Sequence, residues 1–279
     1  MSRPSSRPGP QSLVALRWLT RLGASPGEPL ALVMNWTQPG LYDHVARLTH
    51  AGLVRRVPMT RGDGSLLVVT PDGARMGGAS AGAAPRGAAP TTWAHVVACA
   101  WTAAWFDVRG RDWLSGREVG ADEAWRGEVV YQDGYGRKQR QRHRPDLATF
   151  IRNEPGLPVA VEVELQRKST ARLRGILAMY AARTAEPGAQ LAGVVYVTGP
   201  ANVNKAVRAA AEASGLTEHS EDSAAKLRML ALDDVIAETR DVAARNRESL
   251  RHPAADGHVF AIGATGSGTT TGTLRVANS

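Results

Sequence analysis

The sequence predicts an α/β protein, α+β overall, in which a helical segment closed by two strands precedes a larger mixed sheet. Three observations carry that expectation. Residues 11–78 place apolar side chains at helical spacing and then run into two short β-branched stretches. Residues 91–250 alternate strand-like apolar runs with helical patterns, the rhythm of a sheet crossed by helices. Between them a Gly, Ala and Pro-rich stretch reads as a flexible linker over 79–90. Residues 1–10, rich in Pro, Ser and Arg, and the Gly/Thr-rich tail over 251–279 are expected to be disordered.

Composition narrows the class. The chain has 279 residues, 43% of them hydrophobic, enough for two modest domains or one large one. Its formal net charge is +8, which makes nucleic acid or an acidic surface the first partner to consider. The single cysteine, Cys99, sits in an apolar run, so a disulfide framework is excluded and the thiol is expected to pack as a small hydrophobe. The first residues carry no apolar stretch of the secretory type, and no segment approaches the ~20 apolar residues of a membrane helix. A soluble, cytoplasmic protein without membrane contact is expected.

In the N-terminal region, SLVALRWLTRLG sets Leu13, Leu16, Leu19 and Leu22 near one helical face and stops at Gly23. GEPLALVMN makes a short helix from about Pro29, and WTQPG a turn. LYDHVARLTHAGLV makes a third helix that buries Leu41, Val45, Leu48 and Leu53, with Gly52 as its stop. VRRVPM and SLLVVT then read as strands joined by the hairpin tip TRGDG. This order resembles a winged helix-turn-helix. Residues 1–90 hold ten arginines against four acids, a difference of +6, which suits a DNA backbone. The resemblance implies double-stranded DNA as partner, with Tyr42, His44 and Arg47 on the polar side of the third helix. Arg55 and Arg56 on the first wing strand and Arg61 at the wing tip would reach phosphates. Docking of another protein on the same module is the alternative.

The second region opens with a strongly apolar helix, TTWAHVVACAWTAAWFDVRG, whose tryptophans are expected to pack in the core and whose His95 is expected to be a satisfied histidine. DWLSGREV carries Glu118 in a helical or extended setting. EVVYQDG and RHRPDLATFI read as strands around a basic loop holding Arg137, Lys138, Arg140, Arg142 and Arg144, with Arg126 just upstream. Such a loop either tracks phosphates or is a solvated hairpin tip. VAVEVELQ is the next strand, and its period of two puts Val161, Val163 and Leu165 on one face and Glu162 and Glu164 on the other. A helix over 169–183, the strand LAGVVYVTG, the helix ANVNKAVRAAAEAS, the strand KLRMLAL and the helix DDVIAETRDVAARN follow. Two carboxylates on one strand face either look out at a sheet edge or converge on something positive.

Pro145-Asp146 on one strand and Glu162-Val163-Glu164 on the next resemble the PD-(D/E)xK nuclease-like, restriction-endonuclease-like core. That resemblance implies a catalytic set of Asp146, Glu162, Glu164 and Lys168 and a Mg²⁺ site made by Asp146 and Glu162, with Glu118 as a third ligand. The chain departs from the pattern at the position two after Glu162. The family has lysine there, and this chain has Glu164, with Lys168 just past the strand end. Over residues 11–245 the whole arrangement is similar to the replication-relaxation family of plasmids and integrative elements. The similarity rests on Trp93-Ala94-His95, Trp113-Leu114, Arg117-Glu118, Arg144-Pro145-Asp146-Leu147, the run Val161–Lys168, and Tyr180. It implies DNA association in replication, relaxation or mobilisation of such an element, with other replication or transfer proteins as further partners. It leaves open a metal-dependent nicking enzyme or an inert nuclease fold that only binds DNA.

Overall fold

The computed structural model describes residues 8–59, 64–78, 92–150, 156–216, 218 and 226–251. The expected linker over 79–90, most of the expected disordered ends, the wing tip and Arg61 lie outside the described residues. Pro10, assigned to the disordered start, instead opens the first helix.

The N-terminal region runs α1 (Pro10–Leu22), β1 (Ala24–Pro26), α2 (Gly27–Val33), α3 (Gln38–His50), β2 (Val54–Pro58), β3 (Ser65–Val69) and α4 (Pro71–Met76). The helix starts follow from local chemistry. α1 and α3 carry Pro in their first turn, where the missing N–H costs nothing, and the Thr37 hydroxyl caps α3 through the amide of Gly40. The two expected wing strands pair antiparallel, and β1 joins them in a three-stranded sheet of order β1-β3-β2. β1 and α4 are absent from the sequence reading, being three and six residues long. β2 is an edge strand.

The second region runs α5 (Trp93–Asp107), β4 (Trp113–Ser115), α6 (Gly116–Ala121), a single 3-10 turn (Glu123–Trp125), β5 (Gly127–Gln132), β6 (Lys138–His143), β7 (Leu147–Thr149), β8 (Val159–Glu164), α7 (Thr170–Thr184), β9 (Gly193–Thr198), α8 (Ala201–Glu212), β10 (Leu227–Ala231) and α9 (Leu232–Arg251). Five of the strands make one mixed sheet of order β10-β9-β8-β7-β4. β8, β9 and β10 are parallel and are linked through α7 and α8, while β7 and β4 run antiparallel to their neighbours. The fold is therefore mixed α/β, in line with an α+β expectation.

Four expectations are corrected here. The basic segment is not a loop: Lys138–His143 is strand β6, laddered along its length to β5. That hairpin forms a separate two-stranded sheet, so EVVYQDG does not join the main one. The run RHRPDLATFI is not one strand, because the chain breaks at Arg144–Asp146 between β6 and β7. Finally, β8 is the middle strand of five, which removes the sheet-edge reading of its two glutamates.

The core has two faces, set by strand alternation. Val161, Val163, Val195 and Val197 point toward α5 and α9, and Ala160, Val194 and Tyr196 toward α7 and α8. Each such fully buried aliphatic side chain is worth about 1.5–3 kcal/mol. The first of these clusters also takes in Leu16, Trp18, Leu30 and Leu48, so the N-terminal region shares a core with the sheet. Polar ties reinforce the seam. Trp18 of α1 and Trp113 of β4 both donate their indole N–H to one oxygen of Asp107, at 2.9 and 3.0 Å. Arg240 and Arg247 of α9 reach Glu28, Asn35 and the Trp36 carbonyl at 2.8–3.1 Å.

Candidate functional site

The site forms where β7 begins, β8 ends and the first turn of α5 passes overhead. β7 pairs with β8 as Leu147↔Val161, which brings Asp146, the residue before β7, beside the end of β8 that holds Glu162. Asp146 Oδ2 accepts the Val163 backbone N–H at 2.9 Å, which pins the carboxylate to the central strand. Its Oδ1 lies 3.0 Å from Nε2 of His95. The hydrogen bond with Asp146 raises the His95 pKa, against the opposing effect of burial. His95, expected to be a satisfied helix-start histidine, is satisfied by Asp146 itself.

Glu162 is only 3% exposed. A buried carboxylate must find donors or lose its charge. Glu162 finds two, both at Oε1: His143 Nε2 at 2.8 Å and the Tyr180 hydroxyl. Burial, with the carboxylate beside it, pushes the Tyr180 phenol well above its usual range, so it stays a donor. Oε2 stands outside this network among the described residues. Tyr180 is fully buried and offers no nucleophile to a strand of DNA.

Glu164, on the same strand face and 7% exposed, does not replace a missing cation. It ion-pairs with Lys168, one helical turn's length further along the chain. The ammonium lies in the field of Glu162 and Asp146 as well, and burial still lowers its pKa overall. The three acids thus lie beside Lys168 and the imidazoles of His95 and His143. Cys99, 3.5 Å from His95 Nε2, has its thiol pushed well up by burial. It faces the same ring nitrogen as Asp146, so no proton relay runs through that imidazole from thiol to carboxylate.

Glu118 does not join them. Its carboxylate closes the capping box of α6 by accepting the Ser115 N–H at 2.7 Å, and it holds Arg21 at 3.1 Å. That guanidinium is itself stacked on Trp113, 3.7 Å from the ring centroid. The expectation of Glu118 as third ligand is corrected on this ground: its oxygens serve a helix start and the seam to α1. Among the described residues no three His, Cys, Asp or Glu side chains are grouped as metal ligands. Asp146 and Glu162 do fit Mg²⁺ in donor type. Mg²⁺ is commonly held by one or two carboxylates, with water and substrate phosphate completing its shell, and the spare Glu162 Oε2 is such a donor. A cavity of about 300 Å³ opens over Asp146, walled by His95, Cys99, Arg117 and Arg144 among others.

The residues expected to touch DNA fall on two surfaces. On α3, Tyr42 is 55% exposed and Arg47 is exposed beside it. His44 is drawn inward. It stacks on Trp36 with ring centroids 4.0 Å apart, and its Nδ1 lies 3.0 Å from Arg47. Burial and then the Arg47 charge lower its pKa. Arg55 and Arg56 are both exposed on edge strand β2. On the hairpin, strand alternation puts Lys138, Arg140 and Arg142 on the outer face, while Gln139, Gln141 and His143 share the face that turns inward. Arg137 sits in the turn, bonded to Asp133. His143, which holds Glu162, is the candidate-site residue that sequence reasoning missed. Its signal was partial: within RKQRQRH only Gln139 and His143 are half-buried.

No family model, curated protein or solved structure matches the chain.

Proposed function

We propose that the chain is a DNA-binding protein of the replication-relaxation type, with a winged-helix region and a PD-(D/E)xK-like metal site for nicking DNA. The observation that carries this reading is Asp146, just before β7, held to the Val163 amide next to Glu162 of the central strand β8, with Lys168 in the field of both acids. Glu162 is buried and Asp146 half-buried, and carboxylates so placed cost folding energy unless partners satisfy them, which suits a site kept for chemistry rather than packing. Asp146 and Glu162 would hold Mg²⁺, which when bound supplies Lewis-acid stabilisation of a phosphodiester and acidifies water. The chain's own residues do the rest. Val163 N–H and Tyr180 fix the two carboxylates, and Lys168 balances their charge. In the N-terminal region, α3 offers an exposed polar face with Tyr42 and Arg47, and β2 offers Arg55 and Arg56, as expected of a groove helix and its wing.

A second reading has its own observation. Each acid already has a hydrogen-bond or ion-pair partner within the chain, and the strand lysine is replaced by Glu164, which suits an inert nuclease fold that binds DNA. A supercoiled-plasmid assay with Mg²⁺ or Mn²⁺ separates the two. Nicking by the wild type that is lost in Asp146→Ala and in Glu162→Ala establishes the enzyme. Salt-dependent duplex binding without nicking, unchanged in both variants, establishes the binding protein instead.

A further inference from the structure

Beside the acidic pair lies a second, smaller cavity of about 190 Å³, lined by Arg126, Arg142, His143 and Arg144. Every lining side chain is cationic or can become so. The ladder explains how they meet. Gly127 pairs with His143 at the open end of the ladder, and Arg126 and Arg144 flank that last pair. Cations gathered in one cavity repel one another unless something negative lies between them.

Their neutralisation within the chain is incomplete. Arg126 pairs with Glu123, and Arg144 donates to the Gly120 carbonyl at 3.2 Å. Glu128 lies directly across from Arg142 in the ladder, but its carboxylate goes to Arg140 at 3.1 Å. Arg142 has no hydrogen bond or ion pair among the described residues. The fourth wall, His143, uses Nε2 to hold Glu162. Arg144 also lines the larger cavity over Asp146, so the cationic wall is continuous from one cavity to the other.

We infer that the Arg126–Arg142–His143–Arg144 cavity is a phosphate-binding subsite for a nucleic-acid strand lying across the Asp146–Glu162 pair. The guanidinium fork matches phosphate oxygens in pairs, and the all-cationic lining suits a phosphate group. The phosphate is either the 5′-terminal group of the strand or an internal phosphodiester. The inference rests on the proposed contact with nucleic acid and needs no metal or cleavage.

The test is fluorescence anisotropy with a 3′-labelled single strand of about 12 nucleotides, carrying either a 5′-phosphate or a 5′-hydroxyl. Wild type is compared with Arg142→Gln. Lys205→Gln on α8 serves as a control of equal net charge outside the cavity. A loss of about tenfold or more is expected for Arg142→Gln, the scale of a charge-assisted hydrogen bond, with Lys205→Gln near wild type. Loss confined to the phosphorylated strand identifies a terminal phosphate, and equal loss on both strands an internal one. Equal weakening by Arg142→Gln and Lys205→Gln, or no weakening by Arg142→Gln, overturns the subsite while leaving nucleic-acid binding in place. Wild type that binds neither strand overturns the subsite, while the duplex reading stands or falls by the plasmid and duplex-binding assays. Because the Arg142 side chain is exposed and has no hydrogen bond or ion pair among the described residues, the variant is expected to melt as the wild type does.

Discussion

Asp107, at the last turn of α5, tests whether the N-terminal region and the sheet fold as one body. One of its oxygens accepts two indole N–H groups, from Trp18 at 2.9 Å and Trp113 at 3.0 Å. Both indole side chains are buried. Asp107→Ala strands two buried donors, each at about 1–3 kcal/mol, so a loss of about 2–5 kcal/mol is expected. For a chain of this size that is a fall in Tm of about 5–15 °C. Asp107→Asn keeps an acceptor and removes a charge that burial disfavours. Burial raises the Asp107 pKa, more than the two indoles and Arg21 lower it. The sign follows from that direction. A carboxyl whose folded pKa lies above its unfolded one contributes stability at low pH that is lost as pH rises through the folded value. Asn does not titrate, so the stability of Asp107→Asn relative to wild type is expected to improve between about pH 4 and about pH 7.5. Thermal melts at both values, followed by circular dichroism, measure it. An Asp107→Ala variant within about 0.5 kcal/mol of wild type would refute the argument, as would an Asn variant that compares worse at the higher pH.

Two further outcomes are expected. Gly73→Ala in α4 brings a methyl group to 2.0 Å from the Leu53 carbonyl oxygen, so α4 must lift off β2 and β3; a loss of about 1–3 kcal/mol or more is expected by urea titration. Tyr180→Phe removes one of the two donors to buried Glu162 without changing packing volume; about 1–3 kcal/mol of stability should go, measured the same way, and an unchanged midpoint would mean that His143 alone satisfies the carboxylate.

What could be read from the residues follows the strength of their patterns. The period of two over 159–165 placed Glu162 and Glu164 on one face of a strand, and β8 has that alternation. Helical spacing located α1, α3, α5, α7, α8 and α9 within a few residues. β1 and β4 are three residues long, too short for any alternation to show, and both are held in place by partners distant in the chain. The dense charges of RKQRQRH obscured a strand, because none of its residues is buried and the half-buried ones are Gln139 and His143 rather than aliphatics. The link of Trp18 to Asp107 and Trp113 spans 89 residues in one direction and six in the other, and nothing local marks it. Glu118 looked like a ligand because its neighbours resemble a motif, whereas Ser115-x-x-Glu118 is also a capping box, and local chemistry claimed the carboxylate.

These ties bear on how the two regions could act together. A module on a tether would sample many positions relative to the acidic pair, and its DNA would be presented over a range of distances. Here α1 is fastened through Asp107 and Glu118, α2 through Arg240, and the turn before α3 through Arg247. Trp36, whose carbonyl Arg247 holds, stacks in turn on His44 of α3. The helix with the exposed Tyr42 and Arg47 is therefore joined to the sheet through bonded and stacked side chains. A duplex held by α3 would meet the Asp146–Glu162 end of β8 at one fixed offset.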